Sequence, residues 1–163
     1  MPAALTLLAE ILGGGQTSVL AQKLQFEAQT AVYTTAFYGG TALDDANFGF
    51  VIVPSDSVPL EEAEAALDQA IVEFLKEGVD LDKLNRLKRQ FRASEIYARD
   101  SVSGLANTYG AALTSGLSLD DIHDWPNILQ AVTQDDIMAA AKLVLKEQKS
   151  VTGWLMKPKE LSE

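Results

Sequence analysis

Ala31-Val32-Tyr33-Thr34-Thr35-Ala36-Phe37-Tyr38, closed by Gly39-Gly40, is the stretch on which the fold turns. β-Branched and aromatic residues dominate it, and such side chains suit a pleated, half-buried surface better than a helix. After the polar Asp44-Asp45 the pattern returns in Asn47-Phe48-Gly49-Phe50-Val51-Ile52-Val53 and stops at Pro54. Two antiparallel neighbouring strands are expected, joined by a connection longer than a tight turn. Upstream, Ala3 to Leu12 is apolar nearly throughout and ends on Gly13-Gly14-Gly15, which predicts a helix buried on several sides. Thr17 or Ser18 then caps a second helix to about Ala28, with Leu20, Leu24 and Phe26 inward.

Downstream, Pro59 suits a helix first turn, and Leu60, Ala63, Leu67, Ala70, Ile71, Phe74 and Leu75 recur at helical spacing until Gly78. The other face of this helix is acidic, with Glu61, Glu62, Glu64, Asp68, Glu73 and Glu77. Asp80 caps the next helix, whose inner stripe is Leu84, Leu87 and Phe91 and whose Lys83, Arg86, Lys88, Arg89, Arg92 and Arg99 are basic. The two read as solvated faces of opposite sign, where an exposed pair contributes about 0–1 kcal/mol; the alternative is a basic face that binds a partner. Ser101 to Thr114 forms a further helix, in which Gly104 and Gly110 are attributed to close helix packing. Ser118-x-x-Asp121 and Thr133-x-x-Asp136 have the capping-box form. Trp125-Pro126 is expected to break the first of these helices, while the second continues to about Glu147.

Ser150 to Met156 reads as a third strand and Lys157 to Glu163 as a polar tail. The order α-α-β-β-α-α-α-α-α-β segregates strands from helices, which indicates an α+β fold with an antiparallel sheet packed on one face by a block of helices. Residues 1–163 read as a single domain. Three strands are thin for a sheet that backs so many helices, so a strand of this sheet is expected outside the given sequence.

Composition narrows the chemistry. The 163 residues are 47% hydrophobic and 22% charged, which describes one globular domain with a substantial core. Thirteen Lys and Arg against 23 Asp and Glu give −10, which disfavours a sequence-independent nucleic-acid binder. No cysteine is present, so thiolate nucleophiles and Cys-based metal sites are excluded. His123 is the sole histidine and would be the only base available to a serine triad. No stretch approaches the roughly 20 apolar residues of a membrane span, and the opening Met1 to Leu5 lacks the basic region of a signal peptide. Gly13-Gly14-Gly15-Gln16-Thr17-Ser18 fails the phosphate-loop form, because no Lys precedes the hydroxyl residue and a helix precedes the glycines. His123-Asp124, Asp44-Asp45 and Asp120-Asp121 read as surface, turn and capping residues, since no calcium-loop spacing surrounds them. The G-x-S-x-G elbow is missing as well.

Four runs in order resemble the C-terminal domain of the pitrilysin, insulinase and mitochondrial processing peptidase family of zinc metallopeptidases, peptidase family M16. They are Leu7 to Gly15 with Ser18-Val19-Leu20; Gly78-Val79-Asp80-Leu81-Asp82-Lys83-Leu84; Ala131-Val132-Thr133-Gln134-Asp135-Asp136-Ile137; and Ser150 to Leu155. In the second run Lys83 stands where the family usually has Glu. The resemblance implies one half of a clam-shell peptidase whose zinc motif, H-x-x-E-H, lies in an N-terminal half. That motif is absent from this chain, so no catalytic or metal-ligating residue is expected here, and zinc belongs to the missing half. The implied role is a non-catalytic wall of the peptide chamber, in a domain lacking its leading strand. The alternative is an inactive partner subunit or interaction scaffold of the same fold.

Some family C-terminal halves hold substrate with an Arg and a Tyr seven positions later. Alignment on Ser18 and Leu24 puts Gln25 and Val32 at those places, with Tyr33 one residue on. The pair is thus missing; Gln25 and Tyr33 at or beside those places, and Arg86 and Arg89 of the basic helix, are the candidate residues facing substrate or partner. The partners implied are the zinc-bearing domain or a paired subunit and a peptide substrate, and an open sheet edge would admit a second copy of the chain. Bacterial relatives in this family are often extracytoplasmic.

Overall fold

A computed structural model describes residues 1–42 and 46–156. The first helix, α1 (Pro2–Gly13), is buried at nine of its twelve residues and forms the centre of the molecule. Leu7, Leu8, Ile11 and Leu12 are fully enclosed, as the unbroken apolar run requires. Gly13 lies against the first strand: a Cβ there would stand 2.6 Å from the Thr35 carbonyl carbon and closer still to the Ala36 amide. Only glycine lets helix and strand backbones approach this far.

A π-helical segment, Ala21–Glu27, follows, with Leu20 and Leu24 buried. Phe26, expected inward, is exposed, because two residues beyond Leu24 the helix has turned its face away from the core. Strands β1 (Ala31–Tyr38) and β2 (Phe48–Pro54) pair antiparallel, with Tyr33 opposite Val53, Thr35 opposite Val51 and Phe37 opposite Gly49. A register irregularity separates Ala31 from Tyr33. Thr34, Ala36, Tyr38, Phe48, Phe50 and Ile52 alternate with those pairs and face the core.

The remaining helices are α2 (Leu60–Glu77), α3 (Leu81–Ala98), α4 (Val102–Thr114), α5 (Leu119–Ala131) and α6 (Gln134–Val144). Ala70 and Phe74 of α2, Leu84 of α3, Leu129 of α5 and Ile137, Ala140 and Ala141 of α6 close the core around α1. Both capping boxes form, at Ser118 with Asp121 and at Thr133 with Asp136. No described helix is long and apolar enough to cross a membrane.

Several expectations change. The third strand over Ser150–Met156 does not form, so among the described residues the sheet has two strands and the final β of the expected order is absent. After a short 3-10 turn at Glu147–Lys149 this segment meets α2 instead of a strand edge, and Trp154 Nε1 donates to Glu64 Oε2 at 2.8 Å. Strand residues without a paired edge gain no ladder bonds, and Val151 and Leu155 are 99% and 96% exposed. Pro126 does not break α5, which runs through it. The one hydrogen bond a proline forfeits there is offset by a well-capped start and a latch at the end: Lys88 Nζ donates to the Gln130 and Val132 carbonyls at 2.8 and 2.5 Å, and Gln130 Nε2 returns a bond to the Lys88 carbonyl. Gly110 faces open space rather than a packed helix. The polar tail from Lys157 and the Asp44-Asp45 pair lie outside the described residues.

Gly13 and Gly110 should respond to alanine with opposite signs. Gly13→Ala forces α1 off β1 and is expected to destabilise by about 1–3 kcal/mol, whereas Gly110→Ala adds helix propensity in open space and stabilises by up to about 1 kcal/mol. Urea denaturation of the two variants measures both, and equal effects would show that the Gly13 approach does not constrain the fold.

Candidate functional site

The four residues singled out from the sequence do not converge. Gln25, in the π-helical segment, donates from Nε2 to Thr34 Oγ1 at 2.7 Å, and Thr34 is buried on the covered face of β1. The Gln25 amide is thereby engaged in joining segment to strand. Tyr33, the next residue of β1, points to the opposite face. Arg86 and Arg89 are exposed on α3.

Tyr33 nevertheless belongs to a patch. With Phe37 of β1 and Val51 and Val53 of β2 it makes up the sheet face that no described helix covers, while the Thr35 hydroxyl reaches back to the Gly13 carbonyl of α1. Tyr33 and Phe37 are 52% and 48% exposed. The Phe37 ring lies over Gly49, where a Cβ would stand 2.5 Å from Phe37 Cζ, so the glycine gives the ring its seat. Each strand also keeps one unpaired edge among the described residues.

A second concavity, of about 740 Å³, lies between the C-terminal half of α3 and α5 and reaches α4 at Thr108. Phe91, Trp125 and Leu129 supply its apolar floor, and Arg92, Arg99 and Gln130 stand among its polar residues. His123 also lines it and holds the Tyr109 hydroxyl at 3.0 Å through Nε2. This cleft was not legible in the sequence, because its two main walls, α3 and α5, are separated by a whole further helix and the Lys88–Gln130 latch that sets them follows no local spacing.

A family model for the peptidase M16 inactive domain matches residues 2–91. The chain belongs to that family. Solved structures share the fold of this M16 domain at low identity. A protease from Helicobacter pylori superposes with a TM-score of 0.79 at 23% identity, over 90% of this chain and 35% of its own. The inactive peptidase domain of an inferred zinc protease from Bordetella parapertussis gives 0.78 at 15% identity, over 91% of this chain and 80% of its own. A peptidase M16 inactive domain from Pseudomonas fluorescens gives 0.69 at 20% identity, over 88% and 34% respectively. The chain thus spans about a third of the Helicobacter and Pseudomonas chains. No curated protein matches it by sequence.

The donor set of this M16 domain does not fit zinc. Zinc is held by several Cys, His or carboxylate ligands, and the single histidine, His123, is engaged with Tyr109. Among the described residues no group of three or more His, Cys, Asp or Glu is placed to hold a metal ion. The Asp121 carboxylate, half of one adjacent pair, is spent on the Ser118 amide and hydroxyl at 2.8 and 2.6 Å.

Charge in the domain is organised by helix ends. The Ser118 and Thr133 side chains and amides hold Asp121 and Asp136 below the usual carboxylate range, and the Lys83 amide does the same for Asp80. On α2, Glu73 and Glu77 clamp Lys23 at 2.6 and 3.3 Å, raising the lysine and lowering Glu73. The acidic face of α2 is therefore answered from the π-helical segment. Of the basic residues on and just after α3, only Arg99 is in an ion pair among the described residues, with Glu95 four residues before it. Burial pushes the Lys83 ammonium down, and Arg86 adds to that.

The three capping carboxylates fix the acid response. Each is lowered from 3.8 in the folded state, so its contribution is present above that value and is lost as pH falls through the lower folded one. Melting followed by circular dichroism from about pH 7 to about pH 3 should show a falling Tm at the acid end. Asp121→Asn and Asp136→Asn should each flatten that fall, and parallel acid limbs in variants and parent would contradict the assignment.

Proposed function

We propose that this chain is the non-catalytic C-terminal half of a zinc metallopeptidase, which forms one wall of the peptide-binding chamber and supports cleavage by a zinc-bearing half. The observation that carries the reading is a conjunction: the chain belongs to the M16 inactive-domain family, and its donor set does not fit zinc. The wall is the uncovered face of β1 and β2. Its apolar side chains, Tyr33, Phe37, Val51 and Val53, would meet an unfolded peptide without demanding a particular sequence. Gln25 stands behind the strand in this role and acts by fixing the π-helical segment to Thr34. The zinc and the attacking water are the other half's contribution.

The purified chain, incubated with unfolded peptides and added zinc, is expected to cleave nothing. The polypeptide to which it is joined or paired in the cells that make it is expected to carry H-x-x-E-H. Zinc-dependent cleavage by the chain alone would overturn the reading, and a partner without that motif would replace it with the scaffold reading, which the unpaired cations of α3 favour.

The open strand edges support a further element of the proposal, a homodimer formed edge to edge. Sedimentation equilibrium is expected to show a mass that rises with concentration, and a strict monomer throughout would remove the dimer.

A further inference from the structure

We infer that the cleft between α3 and α5 is a docking site for an acidic segment of another protein chain, one that carries an apolar anchor residue among its carboxylates. The inference stands apart from the chamber role, since the cleft and the open sheet face share no residue.

The chain carries −10, yet Lys83, Arg86, Arg89 and Arg92 follow one another at three-residue steps along α3. Neighbouring like charges at that spacing repel by a few tenths of a kcal/mol per pair. None of the four is in an ion pair among the described residues, although the chain has acid to spare. Of the carboxylates nearest in sequence, Glu73 and Glu77 are engaged with Lys23, Asp80 with the helix start and Glu95 with Arg99, and the exposed Asp82 of the first turn is in no ion pair among the described residues. Arg86, Arg89 and Arg92 are exposed, so the stripe offers its guanidinium groups to solvent. Carboxylates from outside would relieve the repulsion and gain planar, paired hydrogen bonds from arginine.

Shape supplies the second half. The stripe leads into the cleft at Arg92, and the floor there is apolar, with Phe91 and Trp125 half-buried and Leu129 fully so. A volume of about 740 Å³ falls within the range of pockets that enclose a small-molecule ligand, and a few side chains of a peptide would fill it. Ile96, exposed at the rim, extends the apolar surface outward. An anchor side chain on Trp125 with flanking carboxylates on Arg92 and Arg89 satisfies floor and rim together. A nucleic acid fits less well. Asp120, Asp121 and Asp124 crowd the first turns of α5 beside His123, and a phosphate backbone of continuous charge meets them, whereas a peptide places its acids selectively.

Trp125 provides the readout. In the full chain with Trp154→Phe, titration with a synthetic peptide of repeated Glu-Glu-Leu should shift the Trp125 emission saturably, and the shift should weaken as salt rises. The same peptide with Gln for Glu should bind at least about tenfold more weakly, given that charge-assisted bonds are the stronger kind. Arg92→Glu, at an exposed position that leaves the core untouched, should reduce affinity for the acidic peptide by a similar factor and create affinity for a Lys-Lys-Leu peptide. Arg89→Glu should act in the same direction, and circular dichroism checks that both variants stay folded. Equal binding of the Glu and Gln peptides, or an Arg92→Glu variant that binds like its parent, would overturn the inference. Tighter binding of a single-stranded oligonucleotide than of the acidic peptide would overturn it too, in favour of nucleic acid. None of these outcomes bears on whether the chain cleaves peptides with zinc, so failure here and failure of the chamber reading are distinguishable.

Discussion

The contact of Gly13 with the Thr35–Ala36 backbone is the constraint from which the architecture follows. A two-stranded sheet has little stability of its own, and here one face of it is held by a helix that can approach only because Gly13 has no side chain at the crossing. Thr35 Oγ1 donates to the Gly13 carbonyl at 3.5 Å across the same gap. With α1 fixed on β1, the apolar surface of α1 that the strands do not cover must be covered by α3, α5 and α6, and Leu84, Leu129 and Ile137 do so. Among the described residues the sheet's second face is left uncovered for the same reason: the helices gather around α1, and α1 lies on one side only.

That asymmetry also sorts the charge. Carboxylates at helix starts and around Lys23 are consumed by local duties, where short hydrogen bonds favour their ionised form. Cations have fewer such duties, because among the described residues only Lys88 reaches helix-terminal carbonyls. An acidic protein can thus present a basic helix: its surplus acid is fixed in place and does not spread to neutralise α3.

Much of this was readable in the residues. The change of period at Thr30, the apolar run of α1, the caps at Asp80, Ser118 and Thr133, and the inward stripe of α2 are all set by neighbours three or four positions away, and the structure has them where the pattern puts them. The misreadings share a different character. Val151 to Met156 has strand residues, but pairing depends on a free edge being within reach, and the segment meets Glu64 on α2. Trp125-Pro126 has the form of a helix stop, but a proline costs one bond, and the distant Lys88 latch offsets it. A glycine inside a helix suggests close packing, but the space around Gly110 is open. Of the candidate site, Tyr33 could be placed on a strand, but not the face it would share with Val51 and Val53, since that depends on register across a nine-residue connection, Gly39 to Asn47.

The extent of the family match has a physical basis in the same core. The matched residues, 2–91, run from the start of α1 to the last inward residue of α3, and they contain the Gly13 crossing, both strands and the whole of α2. A sequence pattern persists where burial dictates residue type, and in this stretch it does so at nearly every turn. Between Phe91 and Ala131 only Ala112 and Leu129 are buried, so the outer half of α3, α4 and most of α5 have few positions at which packing dictates the residue. The overall shape survives there, because superposition with solved M16 inactive domains extends over about nine-tenths of the chain. Backbone geometry is kept by α1 and by the Lys88–Gln130 latch between α3 and α5, while few side chains of the outer helices are buried. The cleft straddles the two regimes: its floor, Phe91, Trp125 and Leu129, packs with the core, while Arg92, Ile96 and Arg99 around it are exposed.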